Sequence, residues 1–196
     1  MWTLVGLGNP VREYRYTRHN TGEQILSLFR EKHASDFSEW KNDTISHSLM
    51  SVGEYKKELV RLVLPQTYMN NSGETLRILQ QQSESDKNIA EKLVILYDDI
   101  DLPLGVTRLS FDRGSGGHWG LESVFAHLNT REFLRVRIGI AQVSFLGNIK
   151  KPKGDVAVQK YILSTFSKKE KDVLEGVVYE KIEATFKTLF SEGVME

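Results

Sequence analysis

Three places along the chain carry side chains suited to chemistry. Asn9 follows the apolar run Trp2 to Leu7, His19 stands just ahead of an amphipathic segment, and Asp98, Asp99 and Asp101 follow the apolar run Leu93 to Tyr97. A histidine is the natural general base near pH 7, provided a carboxylate takes its other ring N–H and fixes the tautomer. One of the aspartates can do that. The bland alternative is a surface histidine and a solvated acidic turn. Asp98, Asp99 and Asp101 also offer hard oxygen ligands for Mg²⁺. Leu102 and Pro103 break calcium-loop spacing, however, and alternation at a strand end sends Asp98 and Asp99 to opposite sides. Gly114-Ser115-Gly116-Gly117 can cradle a phosphate with backbone N–H groups or simply make a tight turn, and the Gly-Lys-Ser/Thr ending of a Walker loop is missing. There is no Gly-x-Ser-x-Gly elbow to support a serine hydrolase of that type.

The elements that must hold these residues follow from pattern. Trp2 to Leu7 reads as a strand buried on both faces, closed by Gly8-Asn9-Pro10. An amphipathic helix is predicted over residues 21–33, with Ile25, Leu28, Phe29 and Lys32 at helical spacing. Residues 44–52 and 58–64 read as a hairpin around Gly53. Glu74 to Gln82 reads as helix, Leu93 to Tyr97 as a second buried strand, Gly120 to Leu128 as helix and Leu134 to Ile140 as strand. Asp155 to Leu163 is a short helix. Lys168 to Phe190 is a long one, presenting Val173, Leu174, Val177, Val178, Ile182, Phe186, Leu189 and Phe190 on one face. Strands alternating with helices predict α/β layers. Such sheets place their sites at strand ends, where Asn9 and the aspartates fall. Residues 145–154 form the one linker-like segment.

At roughly 150 residues per domain, 196 residues make a single domain over residues 1–196. A 40% hydrophobic fraction is globular, which excludes disordered and fibrous classes. Twenty-six basic residues balance 26 acidic ones, which excludes a protein coated in positive charge. The balance is local nonetheless. Residues 84–103 carry six acids against two lysines, and residues 104–153 carry eight basic residues against three acids. The latter make a candidate phosphate-contacting face, or else a solvated surface with salt bridges. Without cysteine there is no disulfide, thiolate metal site or cysteine nucleophile. A start too short and uncharged for a signal peptide, and no apolar run near 18 residues, lead us to expect a cytoplasmic protein with no membrane association.

The blocks Gly6-Leu7-Gly8-Asn9-Pro10, Tyr14, Thr17-Arg18-His19-Asn20 and Gly22 resemble the opening of bacterial peptidyl-tRNA hydrolases. The resemblance continues, in order, through Pro65 to Gly73, Asp98 to Gly105, Gly116-Gly117-His118, Gly120-Leu121 and Arg135 to Ile140. It implies a monomeric α/β hydrolase, with a mixed twisted sheet flanked by helices, that needs no cofactor or metal. The substrate would be peptidyl-tRNA, gripped at its acceptor stem and 3′ end and cleaved at the ester joining peptide to tRNA. By the resemblance His19 is the general base, Asp98 orients it, and Asn9 and Asn70 position the ester carbonyl and water. Tyr14, Tyr68 and Met69 would contact substrate, and Arg137 and Arg108 would contact acceptor-stem phosphates.

The departures are Trp119 where the family usually has Asn, Val11 for Gly, Leu64 for Lys and Ser110 for Lys. The last two each remove a positive charge that could face tRNA. The Trp119 indole either stacks on the terminal adenine or narrows the cleft. Two other function classes compete: a non-catalytic RNA-binding module on the same fold, and a nucleotide-phosphate enzyme using Gly114 to Gly117. The joint presence of Asn9, His19, Asn70 and Asp98 favours a hydrolase.

Overall fold

The computed structural model describes residues 1–82, 88–145 and 148–192. Glu84 and Asp86 of the acidic stretch and two residues of the 145–154 segment lie outside the described residues. The strands are β1 (Trp2–Gly6), β2 (Lys41–Asp43), β3 (Ser48–Tyr55), β4 (Glu58–Pro65), β5 (Leu93–Pro103), β6 (Thr107–Phe111), β7 (Leu134–Val143) and β8 (Ile149–Lys150). They form one mixed sheet in the order β2-β3-β4-β1-β5-β7-β6, with β8 on the end of β7. The four central strands β4, β1, β5 and β7 run parallel, and the flanking strands are antiparallel.

Alternation along the central strands divides the apolar side chains between two cores. Leu4, Leu62, Val94, Leu96 and Val136 meet Ile25 and Phe29 of α1 (Thr21–Lys32) and Ile182 and Phe186 of α6 (Tyr179–Glu192). Val5, Val63, Ile95 and Tyr97 meet Leu76 and Leu79 of α2 (Ser72–Gln82) and Leu121 and Val124 of α3 (Trp119–Leu128). Two further helices, α4 (Asp155–Ile162) and α5 (Lys168–Val173), lead into α6. Gly22 lets the start of α1 press onto the sheet, since a Cβ there would lie 2.2 Å from the Leu96 carbonyl oxygen. That contact fixes the turn preceding α1, which carries His19.

The alternating α/β pattern is as expected, but several details differ. The hairpin turns at Lys56 and Lys57, with φ of 53° and 67°, and Gly53 lies inside β3. Gly53 serves a close approach instead: a Cβ there would sit 2.0 Å from the Asp36 carbonyl oxygen. Strands β2, β6 and β8 were not anticipated, and β5 runs on to Pro103. The C-terminal helix contains a π turn over Leu174–Val178. This wider turn shifts the register, so Val177, expected on the apolar face, is 48% exposed. Among the described residues no helix is long and apolar enough to cross a membrane.

Candidate active site

The parallel strands β4, β1 and β5 end on the same edge of the sheet, and the side chains singled out from sequence gather there. Beyond β1 comes Asn9. Beyond β4 a 3-10 turn, Met69–Asn71, carries Met69 and Asn70 behind Tyr68. A second 3-10 turn, Arg18–Asn20, presents His19 ahead of α1. Asp98 sits on β5 itself. Asn9, Tyr14, His19, Tyr68, Met69, Asn70, Asp98 and Trp119 all line one cleft of about 1270 Å³. Its opposite wall comes from residues 151–155 and α4.

His19 and Asp98 are both buried, and the imidazole Nδ1 lies 2.9 Å from the Asp98 Oδ1. A second imidazole, that of His118, reaches the same oxygen: its Nε2 is 3.0 Å away. The His118 Nδ1 accepts the Leu121 N–H and so caps α3, which assigns the ring proton to Nε2 as a donor to Asp98. Asp98, as a carboxylate, only accepts. His19 therefore donates from Nδ1, and its Nε2 keeps a free lone pair. Burial works against charge on His19, but the Asp98 carboxylate, by charge and hydrogen bond, outweighs it and raises the pKa above the ordinary 6.5. Burial likewise opposes ionisation of Asp98, and the two imidazoles overcome it, holding the carboxyl well below the usual range.

The ligand atoms of His19, Asp98 and His118 lie within 4.8 Å of one another, the grouping that could hold a metal ion. The N to O distances of 2.9 and 3.0 Å are hydrogen-bond spacings. An ion would have to replace the protons that now join the three groups. The three aspartates do not form a cage. Asp98 faces the histidines, Asp99 takes the Arg137 Nε at 2.7 Å, and Asp101 pairs with Lys151. Alternation along β5 thus separates Asp98 from Asp99, as the strand reading required.

Asn9 is fixed on three sides. Its N–H donates to Asn20 Oδ1 at 3.0 Å, its carbonyl accepts from Asn20 Nδ2 at 2.9 Å, and its Oδ1 accepts the Met69 N–H at 2.9 Å. That leaves Nδ2 as a donor without a protein partner among the described residues. Asn70 is exposed at the cleft, Met69 is buried beside it, and Tyr68 and Trp119 are 61% and 66% exposed. Gly120 packs against Met69 and His118: a Cβ there would meet Met69 Sδ at 2.6 Å and His118 Cε1 at 3.0 Å. The start of α3 and the Met69 turn therefore share one tightly packed floor.

Of the two arginines expected to face phosphate, one departs from expectation. Arg137 is buried and held by Asp99, because it points from β7 to the face where Tyr97 and Asp99 lie. Arg108, directly opposite it in register, is exposed. Arg135, another member of the basic stretch, is wholly buried between Phe125 and Phe133. Arg108, Arg113, Lys150 and Lys153 remain exposed, without ion pairs among the described residues.

Two residues that sequence reasoning did not single out bear on the site, one within it and one behind it. His118 lay within a matched block, but a lone histidine before a helix gives no sign that it shares a carboxylate. Arg18 is buried next to His19. Its guanidinium lies over Tyr161 and Phe166, at 4.7 and 4.6 Å from the ring centres, and contacts Glu170. Its clue was a charge in a segment otherwise headed for the core.

A family model described as peptidyl-tRNA hydrolase matches residues 3–196. The chain is 38% identical over 195 residues to the peptidyl-tRNA hydrolase of Chloroflexus aggregans, covering 99% of this chain and 95% of that protein. It is 36% identical over 184 residues to the one from Bacillus subtilis, covering 94% and 89%. Among solved structures, the peptidyl-tRNA hydrolase of Acinetobacter baumannii superposes with a TM-score of 0.80 at 30% identity, covering 98% of this chain and 89% of that one. A peptidyl-tRNA hydrolase complexed with N-propanol gives 0.83 at 31%, with the same coverage.

Proposed function

The chain belongs to the peptidyl-tRNA hydrolase family, and from that premise we propose that it hydrolyses the ester joining a peptide to the 3′ end of tRNA, with His19 as general base. The observation that carries the assignment is the buried 2.9 Å contact between His19 Nδ1 and Asp98 Oδ1. It leaves Nε2 basic and directs it at the cleft that Asn9 and Asn70 also line.

In this reading Nε2 takes a proton from water as the water oxygen bonds to the ester carbonyl carbon. Asn9 Nδ2 donates to the developing oxyanion, a site where a pre-positioned donor is worth most. Asn70, exposed at the same wall, positions the ester and water. The intermediate expels the tRNA 3′ oxygen, which receives the proton from Nε2, and the products are free tRNA and a peptide carboxylic acid. Asp98 stays ionised throughout and stabilises the protonated ring. No step calls on a metal or cofactor, and the chain acts as a monomeric single domain.

Tyr14, Tyr68, Met69 and Trp119 contact the substrate at the cleft. The exposure of Trp119 favours stacking on the unpaired terminal base over blockage of the cleft, since the ring stands free at the lip. Arg108 takes an acceptor-stem phosphate, and Arg137 serves by holding Asp99. The test is release of labelled N-acetyl-aminoacyl from tRNA with EDTA present. Turnover by the wild type that falls at least a hundredfold in His19→Ala fits a positioned base, typically worth about 10² to 10⁴ in rate. No wild-type turnover with tRNA still bound would move the chain to the RNA-binding class.

A further inference from the structure

The 3-10 turn Arg18–Asn20 sends three consecutive side chains, all buried, in three directions. With about three residues per turn, neighbours in such a helix stand about 120° apart. His19 goes to Asp98 on β5. Asn20 goes to Asn9, accepting its N–H and donating to its carbonyl, and so holds the residue assigned above to the oxyanion. Arg18 turns away from the cleft, which it does not line. Its Nε donates to Ser164 Oγ at 3.2 Å, its Nη1 to the Ile140 carbonyl at 3.5 Å and its Nη2 to Glu170 at 2.9 Å. The acceptors come from β7, from the stretch after α4 and from α5. The Tyr161 and Phe166 rings lie over the same guanidinium. The backbone adds a seam alongside: the Arg18 N–H donates to the Ser164 carbonyl at 3.0 Å, and Thr17 bridges to Thr165.

A buried ion pair is often no more stabilising than apolar side chains of the same volume. What apolar packing lacks is direction. A planar guanidinium fork meets three acceptors and two rings in one orientation, which an ammonium on a flexible stem cannot do. The turn is therefore pinned on three sides, and two of those sides lead to reacting groups. We propose that Arg18 is a positioning residue of the reaction. By fixing the outer side of the turn, it sets where His19 Nε2 and, through Asn20, the Asn9 amide stand toward the ester. The inference rests on the hydrolase reading and adds to it a residue outside the cleft.

The test measures kcat and KM of Arg18→Lys and Glu170→Gln on N-acetyl-aminoacyl-tRNA, at a temperature where circular dichroism shows each variant folded. Misplacing a reacting group by about 1 Å costs about a hundredfold. Arg18→Lys, which keeps the charge, should therefore lose about tenfold or more in kcat, with KM within about twofold because the side chain lies outside the cleft. Glu170→Gln loosens one of the three anchors and should lose less. Proton NMR of the His19 Nδ1–H, assigned by its loss in His19→Ala, reads the same geometry without substrate. In Arg18→Lys the signal should shift or exchange faster with water, a change that a role in stability alone would not produce in a folded variant. Wild-type kcat in folded Arg18→Lys overturns the proposal, as does a rise in KM with kcat retained. Should Arg18→Lys fail to fold, Glu170→Gln decides by the same readouts. Failure of the wild type to cleave would instead overturn the hydrolase reading, and the NMR signal would still judge whether Arg18 sets the His19 ring.

Discussion

Arg18 and Glu170 stand 152 positions apart in the chain, yet the Arg18 Nη2 lies 2.9 Å from both carboxylate oxygens of Glu170. The pair ties the turn that carries His19 to the start of α5. Gln142 and the Ser167 N–H complete the set around the carboxylate, at 3.0 and 2.8 Å. The turn that carries His19 is thereby braced by the C-terminal helices, and Arg18, one residue away, supplies the brace.

Breaking this pair should cost stability, because Arg18 is 3% exposed and its charge would be left buried. Glu170 itself is partly exposed, so Glu170→Gln should cost about 2 kcal/mol, below the 3–5 kcal/mol of a fully buried pair. That is a fall in Tm of about 4–8 °C for a chain of this size. Burial works against ionisation of Glu170, but hydrogen bonds from Gln142, Ser167 and Arg18 prevail and lower its pKa from 4.5 to about 2. A lowered carboxylate pKa stabilises the fold fully above the unfolded value and fades as pH falls through the folded one. The gap between wild type and Glu170→Gln, measured by denaturant unfolding, should be full near pH 6 and shrink toward pH 2. A gap that stays constant with pH would show that the charge is not its source.

The pH dependence of turnover carries the opposite sign to that of the His19 contribution to stability. His19 must be neutral to act as base, and its pKa lies above 6.5 because Asp98 outweighs burial. The acid limb of kcat/KM should therefore fall above about pH 6.5 rather than below it. The raised pKa stabilises the fold below the unfolded value, and that stabilisation is lost as pH rises through the folded value. Activity thus climbs over the same interval in which this contribution fades. In Asp98→Asn burial acts on His19 unopposed and the tautomer is no longer fixed. The limb should then shift to lower pH, with turnover down by a hundredfold or more.

The parts of this arrangement legible in sequence were those with local signatures. The buried runs at β1 and β5, the breaks after them and the helix after His19 sufficed to pair a histidine with an aspartate. The turn at Lys56 and Lys57 was not legible, because two lysines with positive φ give none of the usual glycine signal. Gly53, which does give one, is required by contact with Asp36, 17 residues away in sequence. Strand β6 has no buried-strand pattern, because it lies at a sheet edge with its apolar residues Leu109 and Phe111 47% and 60% exposed. The shared use of Asp98 by two histidines, and the burial of Arg137, depend on which strand lies beside which, information that spacing along one chain does not contain.

Arg108 and Arg137 separate under salt. A side chain that releases counterions from tRNA phosphate contributes about one unit to the slope of log affinity against log salt. Arg108→Ala should lower that slope by about one while leaving Tm within about 1 °C, as for most exposed positions. Arg137→Ala should leave the slope unchanged and instead lower Tm, because Asp99 loses its 2.7 Å partner in a buried setting. Filter binding of tRNA from 50 to 200 mM salt, beside a thermal melt, measures both. A loss of slope in Arg137→Ala would return it to the phosphate face.

Trp119 stands 66% exposed at the first position of α3, next to His118, with no aromatic partner among the described residues. An indole in that position does little for the fold, so Trp119→Ala should leave Tm within about 1 °C. Stacking on an unpaired base is worth about 1–3 kcal/mol, which corresponds to a rise in KM of about 5-fold to 150-fold with kcat nearly unchanged. Trp119→Asn should behave the same way, short of whatever hydrogen bond the amide makes with substrate. A narrowed cleft gives the contrary sign: removing the ring would lower KM or raise kcat. Steady-state kinetics of both variants on N-acetyl-aminoacyl-tRNA therefore choose between a base-stacking platform and a steric gate.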